Sequence, residues 1–309
     1  MSASKPLKRV AIVGSGAIGG YYGARLAQAG VDVHFLLRRD YDHVRENGFH
    51  VESVAGDFDL PEVTCAQSSQ EIGPVDLVVL AWKTTSNEHY SEVIAPLLHE
   101  NTVILTLQNG LGNCEALAEL FGSRRVLGGL CFICVNRLAA GHLSHTASGQ
   151  VRIGEFQPDG SDRLDKWVKF LSDGGINCRA VLSLEQAQWM KLVWNIPFNG
   201  LAISEGGVDT QVLLQTPGME ARVLRIMKEV QSVAAALGHE IEGSFLEQQI
   251  SVTRTMKAYR PSSMIDYVEG REVEVGAIWR EPYQRAVKLG VFVPEIKSLL
   301  SEIEKKLEN

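Results

Sequence analysis

No stretch of this chain stays apolar for long. The longest runs, such as Leu77 to Trp82 and Leu130 to Val135, stop far short of the ~20 residues that cross a bilayer. The N-terminal segment does not suit a secretory signal, because a glycine-rich turn interrupts the apolar run that follows Lys8. A soluble, cytoplasmic protein is expected. Basic residues are not in surplus either. Thirty Lys+Arg stand against 37 Asp+Glu, a net charge of −7. Such a surface has no general attraction for nucleic acid or for anionic membranes, so neither is expected as a partner. Cysteine is scarce, with five residues, an odd number, scattered along the chain. That argues against a disulfide framework. Only Cys131 and Cys134 form a CxxC, and they fall in a run that reads as a buried strand. Strand alternation points their sulfurs to opposite faces, so they are expected to be buried thiols acting as small hydrophobes.

What the chain does have is ordinary globular material. It has 309 residues, 45% apolar and 22% charged, enough for about two domains with sizeable cores. The first half alternates short β-rich runs with helical stretches. Strands are predicted at Arg9 to Val13, Val33 to Leu37, Leu77 to Ala81, Val103 to Leu107, Val126 to Val135 and Gln150 to Gly154, with a helix from Ile18 to Ala29. That alternation implies parallel βαβ units in a doubly wound, Rossmann-type sheet. Beyond about residue 182 the pattern turns helical, at Glu185 to Leu201, Pro217 to Leu237, Phe245 to Lys257 and Glu272 to Leu289. The fold class expected is α/β with an all-α C-terminal domain, divided as 1–182 and 183–309.

The sharpest local signal is Gly14-Ser15-Gly16-Ala17-Ile18-Gly19, placed directly after strand Val10-Ala11-Ile12-Val13 and opening a helix. The first glycine of such a turn permits the sharp bend, the second lets a pyrophosphate approach the backbone, and the third lets helix and strand pack closely. The phosphates then sit on the helix N-terminus, where unpaired N–H groups and the dipole favour negative charge. The end of the second strand selects the dinucleotide. An acid there holds the ribose hydroxyls of NAD, whereas this strand runs into Arg38-Arg39, whose guanidinium groups suit a 2′-phosphate. NADP(H) is the expected cofactor. Asp40, next in line, is expected to cap the helix beginning near Tyr41.

Three further points carry polar groups. Lys83 lies at the C-terminal end of a central strand, where ligands of open α/β sheets bind, although an isolated lysine is more often solvated. Asn109, in the loop Gln108-Asn109-Gly110-Leu111-Gly112, offers a donor and an acceptor, or else simply forms an Asn-Gly turn. In the helical half, Lys191, Asn195 and Asn199 fall at i, i+4 and i+8 and line one helix face. Taken alone, that stripe is expected to be an exposed polar face, with Pro197 kinking the helix.

Taken together, GSGAIGGYYGARLAQAG, the WKT and QNGLG loops, KLVWNIPFN and PSSMIDYVEGREVEV resemble the ketopantoate reductase family, in order from Val10 to about Pro294. The resemblance implies a Rossmann domain that binds NADPH and a helical domain that closes over a small-molecule 2-oxo acid. Its reaction reduces ketopantoate (2-dehydropantoate) to pantoate in pantothenate and coenzyme A biosynthesis. By position, the family's catalytic lysine and glutamate correspond to Lys191 and Glu274. Substrate would be held by Asn109, Asn195, Asn199 and Ser262, with Ser263 as the alternative serine. Cofactor would be held by Gly14 to Gly19, by Arg39 or Arg38, by Lys83 and by Asn109; no metal is implied. The sequence departs from the family pattern at Val275-Gly276 and across Asn199 to Ser204. Both segments adjoin the implied substrate site, so a different 2-oxo acid is the alternative reading, with a non-catalytic dinucleotide sensor behind it. A homodimer is compatible with this sequence, which leaves the oligomeric state open.

Overall fold

The computed structural model describes residues 8–308. Among the described residues, ten strands, all before residue 181, form one sheet: β1 Arg9–Val13, β2 Asp32–Leu36, β3 Phe49–Ser53, β4 Phe58–Leu60, β5 Thr64–Ala66, β6 Leu77–Leu80, β7 Val103–Thr106, β8 Val126–Ala139, β9 His142–Glu155 and β10 Asn177–Ala180. Their order is β4-β3-β9-β8-β7-β6-β1-β2-β5, with β10 alongside β9. From β8 through β7, β6, β1 and β2 to β5, every neighbouring pair is parallel. Strands β6 and β7 are buried throughout, which is why they read as continuous Val/Leu/Ile runs. The chain turns from β2 on one side of β1 to β6 on the other, so the strand order reverses at β1. In open α/β sheets a ligand crevice lies at the carboxyl ends of the strands at such a reversal.

One half of the sheet departs from the parallel expectation. Strands β8 and β9 are antiparallel, because only Ala140 and Gly141 join them, a connection too short for a parallel crossover. Gly141 takes φ +66°, the left-handed conformation that such a turn needs. The short strands β3, β4, β5 and β10 were not expected. Each lies towards an edge of the sheet; β4, β5 and β10 are only three or four residues long, too short for a periodic signal, whereas β3 does alternate apolar with polar residues over Phe49 to Glu52. Cys131 and Cys134 do lie on β8, but both are half-buried rather than buried, because this part of the hairpin is only partly covered.

The chain forms two compact units. One comprises the residues up to Gln108 together with Asn113–Leu184, and the other Asn109–Gly112 together with the residues from Glu185 onward. The short excursion 109–112 therefore groups with the helical unit. That unit contains helices Leu184–Ser204, Thr210–Gln215, Met219–Ala236, Gly243–Thr255, Ser262–Val268, Glu281–Lys288 and Pro294–Leu307. Its core gathers Trp189, Phe198, Met227, Trp279 and Ile303, all fully buried. The first helix runs unbroken through Pro197. The single helix expected over Glu272 to Leu289 is instead interrupted. Residues 271–274 have no regular structure, and Gly276–Arg280 form a π-helical turn before the helix resumes. Apolar periodicity cannot distinguish a π turn from an α turn over so few residues.

Candidate active site

The glycine turn is built so that each glycine does a different job. Gly14 has φ +93°, and a Cβ there would lie 2.2 Å from the backbone nitrogen of Trp82, just after β6. A Cβ on Gly19 would lie 2.3 Å from the Gly14 carbonyl oxygen, so that residue lets the helix sit down on the turn. A Cβ on Gly16 would meet nothing within 4 Å, so close approach of the protein itself does not explain this glycine. Open space at the middle glycine is what a bound pyrophosphate requires. Helix Ala17–Gln28 has no side-chain cap on its first N–H groups and no acid in its first turn, so nothing there competes with an anion. Ser15 ties the turn down, its Oγ donating to the Leu36 carbonyl at 3.1 Å, while Ala17 and Ile18 supply backbone at the helix start. These residues fit a dinucleotide.

At the end of β2, Arg38 and Arg39 are both exposed, and the Arg39 side chain stands 80% open to solvent. Asp40 does stand at the N-cap position of helix Tyr41–Asn47, but its side chain makes no capping hydrogen bond. Its two carboxylate oxygens instead accept Nε and Nη2 of Arg137, each at 2.6 Å. A bidentate guanidinium outcompetes a single backbone N–H for the carboxylate. The pairing balances the charge of the acid beside Arg39, so Asp40 presents no unpaired negative charge to a 2′-phosphate.

Lys83 is half-buried and directly precedes the short helical turn Thr84–His89 after β6. Close by in sequence is a polar network that the sequence reading missed. Gln108 Oε1 accepts the Tyr90 hydroxyl at 2.7 Å and the Thr106 hydroxyl at 2.9 Å. Its amide nitrogen donates to Asn87 Oδ1 at 2.8 Å, and Asn87 in turn donates to Asn113 Oδ1 at 2.9 Å. Tyr90 also stacks on Trp82 at 5.8 Å between ring centroids. The available signal was two polar residues, Thr106 and Gln108, flanking buried Leu107 at the end of a buried strand.

The helical unit gathers the other polar residues. Lys191 Nζ donates to Asn109 Oδ1 at 2.8 Å. The loop that holds Asn109 is fixed where the Leu111 N–H donates to the Ala277 carbonyl at 2.9 Å; a Cβ on Gly110 would lie 2.3 Å from the same oxygen. Asn195 and Asn199 are buried, contrary to the exposed face expected of the stripe. Burial of an amide requires partners, and Asn199 has them. Its Oδ1 accepts the Ser263 N–H at 2.9 Å, and its Nδ2 donates to the Asn195 carbonyl at 3.2 Å. The first bond docks helix Ser262–Val268 onto the asparagine helix. Ser263 is thereby buried, whereas Ser262 is exposed.

Glu274 is also buried, at 9% exposure, and it sits just ahead of the π turn. Trp279, within that turn, donates Nε1 to the Ile196 carbonyl at 3.0 Å. Gly200 makes this packing possible, since a Cβ there would lie 2.8 Å from that indole nitrogen and 2.7 Å from Leu299 Cδ2. One departure from the family pattern therefore has a packing reason. Asn109, Lys191, Asn195, Asn199, Ser263 and Glu274 all belong to the same unit, with the π turn tied to the asparagine helix by Trp279.

The family model described as "Ketopantoate reductase PanE/ApbA" matches residues 10–158, and its C-terminal counterpart matches 183–307. The chain is 38% identical over 302 residues to the 2-dehydropantoate 2-reductase of Nostoc sp., covering 96% of this chain and 94% of that protein. The chain belongs to the ketopantoate reductase family. The crystal structure of 2-dehydropantoate 2-reductase from Geobacter metallireducens is 43% identical, with a TM-score of 0.94 over 96% of this chain and 99% of that one. The enzyme of the same name from Methylococcus capsulatus is 30% identical, with a TM-score of 0.88 over 97% and 96%. Membership of this family establishes the α/β fold with a helical C-terminal part. Among the described residues, no helix is long and apolar enough to cross a membrane.

Proposed function

We propose that this family member is an NADPH-dependent 2-dehydropantoate 2-reductase, which converts ketopantoate to pantoate. One observation carries the reading beyond family membership: the Lys191 ammonium is held by a neutral amide oxygen, Asn109 Oδ1, at 2.8 Å. The amide oxygen aims the ammonium along one direction, which a positioned proton donor requires.

NADPH, when bound, supplies the hydride that adds to the carbonyl carbon of the 2-oxo acid. Negative charge then grows on the carbonyl oxygen. Lys191 stabilises that charge and donates the proton that completes the alcohol. Asn109 fixes the direction of the ammonium. Asn195 and Asn199 supply amide hydrogen bonds to the substrate, and Glu274 accepts from a substrate hydroxyl or orients the lysine. Of the two candidate serines, Ser263 is the better placed, being buried and joined to Asn199. Gly14 to Gly19 hold the pyrophosphate, Arg39 with Arg38 the 2′-phosphate, and Lys83 contacts the cofactor. The proposed setting is the cytoplasm, with a free small-molecule 2-oxo acid as partner and no nucleic acid. A homodimer is the assembly to test, by light scattering.

The experiment is NADPH oxidation at 340 nm with ketopantoate, beside a panel of other 2-oxo acids. The reading expects ketopantoate to give the highest kcat/KM. A better substrate elsewhere in the panel would keep the chemistry and replace the substrate. Oxidation with none of them would leave dinucleotide sensing as the function.

A further inference from the structure

At the far edge of the sheet, away from the glycine turn in strand order, three donor side chains converge. His50 and Glu52 lie two residues apart on β3 and so share a face, and His142 on β9 is the direct cross-strand partner of His50. His50 Nε2 lies 4.0 Å from Glu52 Oε1, and His142 Nε2 lies 3.0 Å from the same oxygen. One donor atom from each of the three lies within 4.8 Å of the others. A tetrahedral ion with bonds of about 2.0–2.1 Å keeps its donors roughly 3.3 Å apart, so small side-chain rotations suffice. The backbone needs no movement, because hydrogen-bonded strands hold all three residues.

A fourth residue makes this more than a chance meeting of polar groups. Asp59 on β4 faces His50 across the antiparallel β3–β4 pair, and its Oδ1 lies 2.6 Å from His50 Nδ1. With a carboxylate as acceptor, Nδ1 carries the proton, which leaves Nε2 as the lone-pair nitrogen facing Glu52. A carboxylate behind a histidine is the usual outer support of a histidine metal ligand. The His50 and His142 rings also pack together, 4.8 Å between centroids.

We propose that His50, Glu52 and His142 form a binding site for one divalent transition-metal ion of the zinc class, with Asp59 as the positioning residue and solvent completing the coordination. Two imidazoles and one carboxylate select such ions over magnesium or calcium, which prefer all-oxygen shells. The ion would join β3 to β9 at the edge of the sheet, independently of the reductase residues.

Isothermal titration of the whole protein with zinc chloride tests this. One equivalent should bind, and His142→Ala or His50→Ala should weaken it at least tenfold, while Asp59→Asn should weaken it by about 10–100-fold. NADPH oxidation should persist in all three variants, which also shows that they fold. Magnesium chloride should give no saturable binding. The double variant His50→Ala/His142→Ala keeps every cysteine, so zinc binding unchanged in that protein would assign the ion to thiols and overturn the proposal. Cobalt(II) gives a second readout on the unaltered protein. A visible d–d band without thiolate charge transfer supports the site, and a strong thiolate band, or no uptake of either ion, refutes it.

Discussion

The two units of this protein present their candidate functional residues in opposite ways. In the sheet unit, the proposed phosphate site is six consecutive residues, Gly14 to Gly19, offering backbone N–H groups and open space at Gly16. In the helical unit, the proposed residues Asn109, Lys191, Asn195, Asn199, Ser263 and Glu274 come from four separate segments, and the roles proposed for them use side chains. A backbone site is local, so it is written in one short motif. A side-chain site exists only after packing, and here it depends on a π turn, a tight glycine and a buried amide.

The largest expected effect strikes the side-chain site. Lys191→Ala should lower kcat by about 10²–10⁴, the range for a positioned proton donor, with the KM for NADPH little changed. Steady-state kinetics at saturating NADPH measures it. An unchanged kcat would remove the lysine from the chemistry, and a large loss of NADPH affinity would erase the contrast between the units.

The glycine turn offers a sharper internal contrast. Gly14→Ala places a Cβ against the Trp82 backbone at φ +93°, so a loss on the order of 3 kcal/mol in stability is expected. Gly16→Val extends into open space and should alter stability by less than about 0.5 kcal/mol, yet raise the KM for NADPH severalfold. Denaturant melts and KM measurements on both variants decide the matter. Equal destabilisation would mean that Gly16 serves the fold rather than a ligand.

Asn199→Ala removes the acceptor of the buried Ser263 N–H and should cost about 1–3 kcal/mol. A loss of kcat/KM out of proportion to the fraction unfolded would show that the amide also binds substrate. Smaller again is cofactor choice. Arg39→Ala should raise the KM for NADPH about tenfold, equivalent to ~1.4 kcal/mol, and leave that for NADH nearly unchanged. Arg137→Ala, which removes the bidentate partner of Asp40 and leaves it only Arg39, 3.8 Å away, should shift preference the same way by less. Equal use of both cofactors by the unaltered protein would remove the 2′-phosphate assignment.

How much of this was legible follows from the same contrast. Strands β1, β6 and β7 were readable from burial on both faces, β2 from its apolar alternation, and the turn Gly14 to Gly19 from backbone geometry, each of which leaves a local signature. The antiparallel β8–β9 hairpin was not, although Ala140-Gly141 offered a two-residue turn signal. Asp40 was read as a cap because its partner, Arg137, lies 97 residues away in sequence. The asparagine stripe looked exposed because periodicity records which residues share a face, not what covers that face. The covering element, Ser262–Val268, comes from more than sixty residues downstream.

The smallest predicted effect separates the units by pH. In the sheet unit, His145 is buried, and burial holds its pKa below the usual histidine value. Its hydrogen bonds suit the neutral ring, since Ser53 Oγ lies 2.8 Å from Nδ1 and the Ala147 carbonyl 3.1 Å from Nε2. A histidine held low contributes stability above its unfolded pKa of about 6.5 and loses it as pH falls towards the folded value. His34, lowered chiefly by burial and then by Arg9, acts in the same direction. His50, raised by its bond to Asp59 at the surface, offsets little, since an exposed pair contributes little. At Glu229 in the helical unit the sign reverses. Burial raises the carboxyl of Glu229, although it accepts the Glu295 and Ile296 N–H groups, so its contribution grows as pH falls towards the carboxylate range. Between pH 7 and pH 5.5, hydrogen exchange at β3 and β9 should therefore quicken, after correction for intrinsic rates, by an amount below about 1 kcal/mol. Exchange at residues 295 and 296 should not quicken. His145→Gln should flatten the response of β9, and acceleration of both regions alike would show that neither group governs the acid sensitivity.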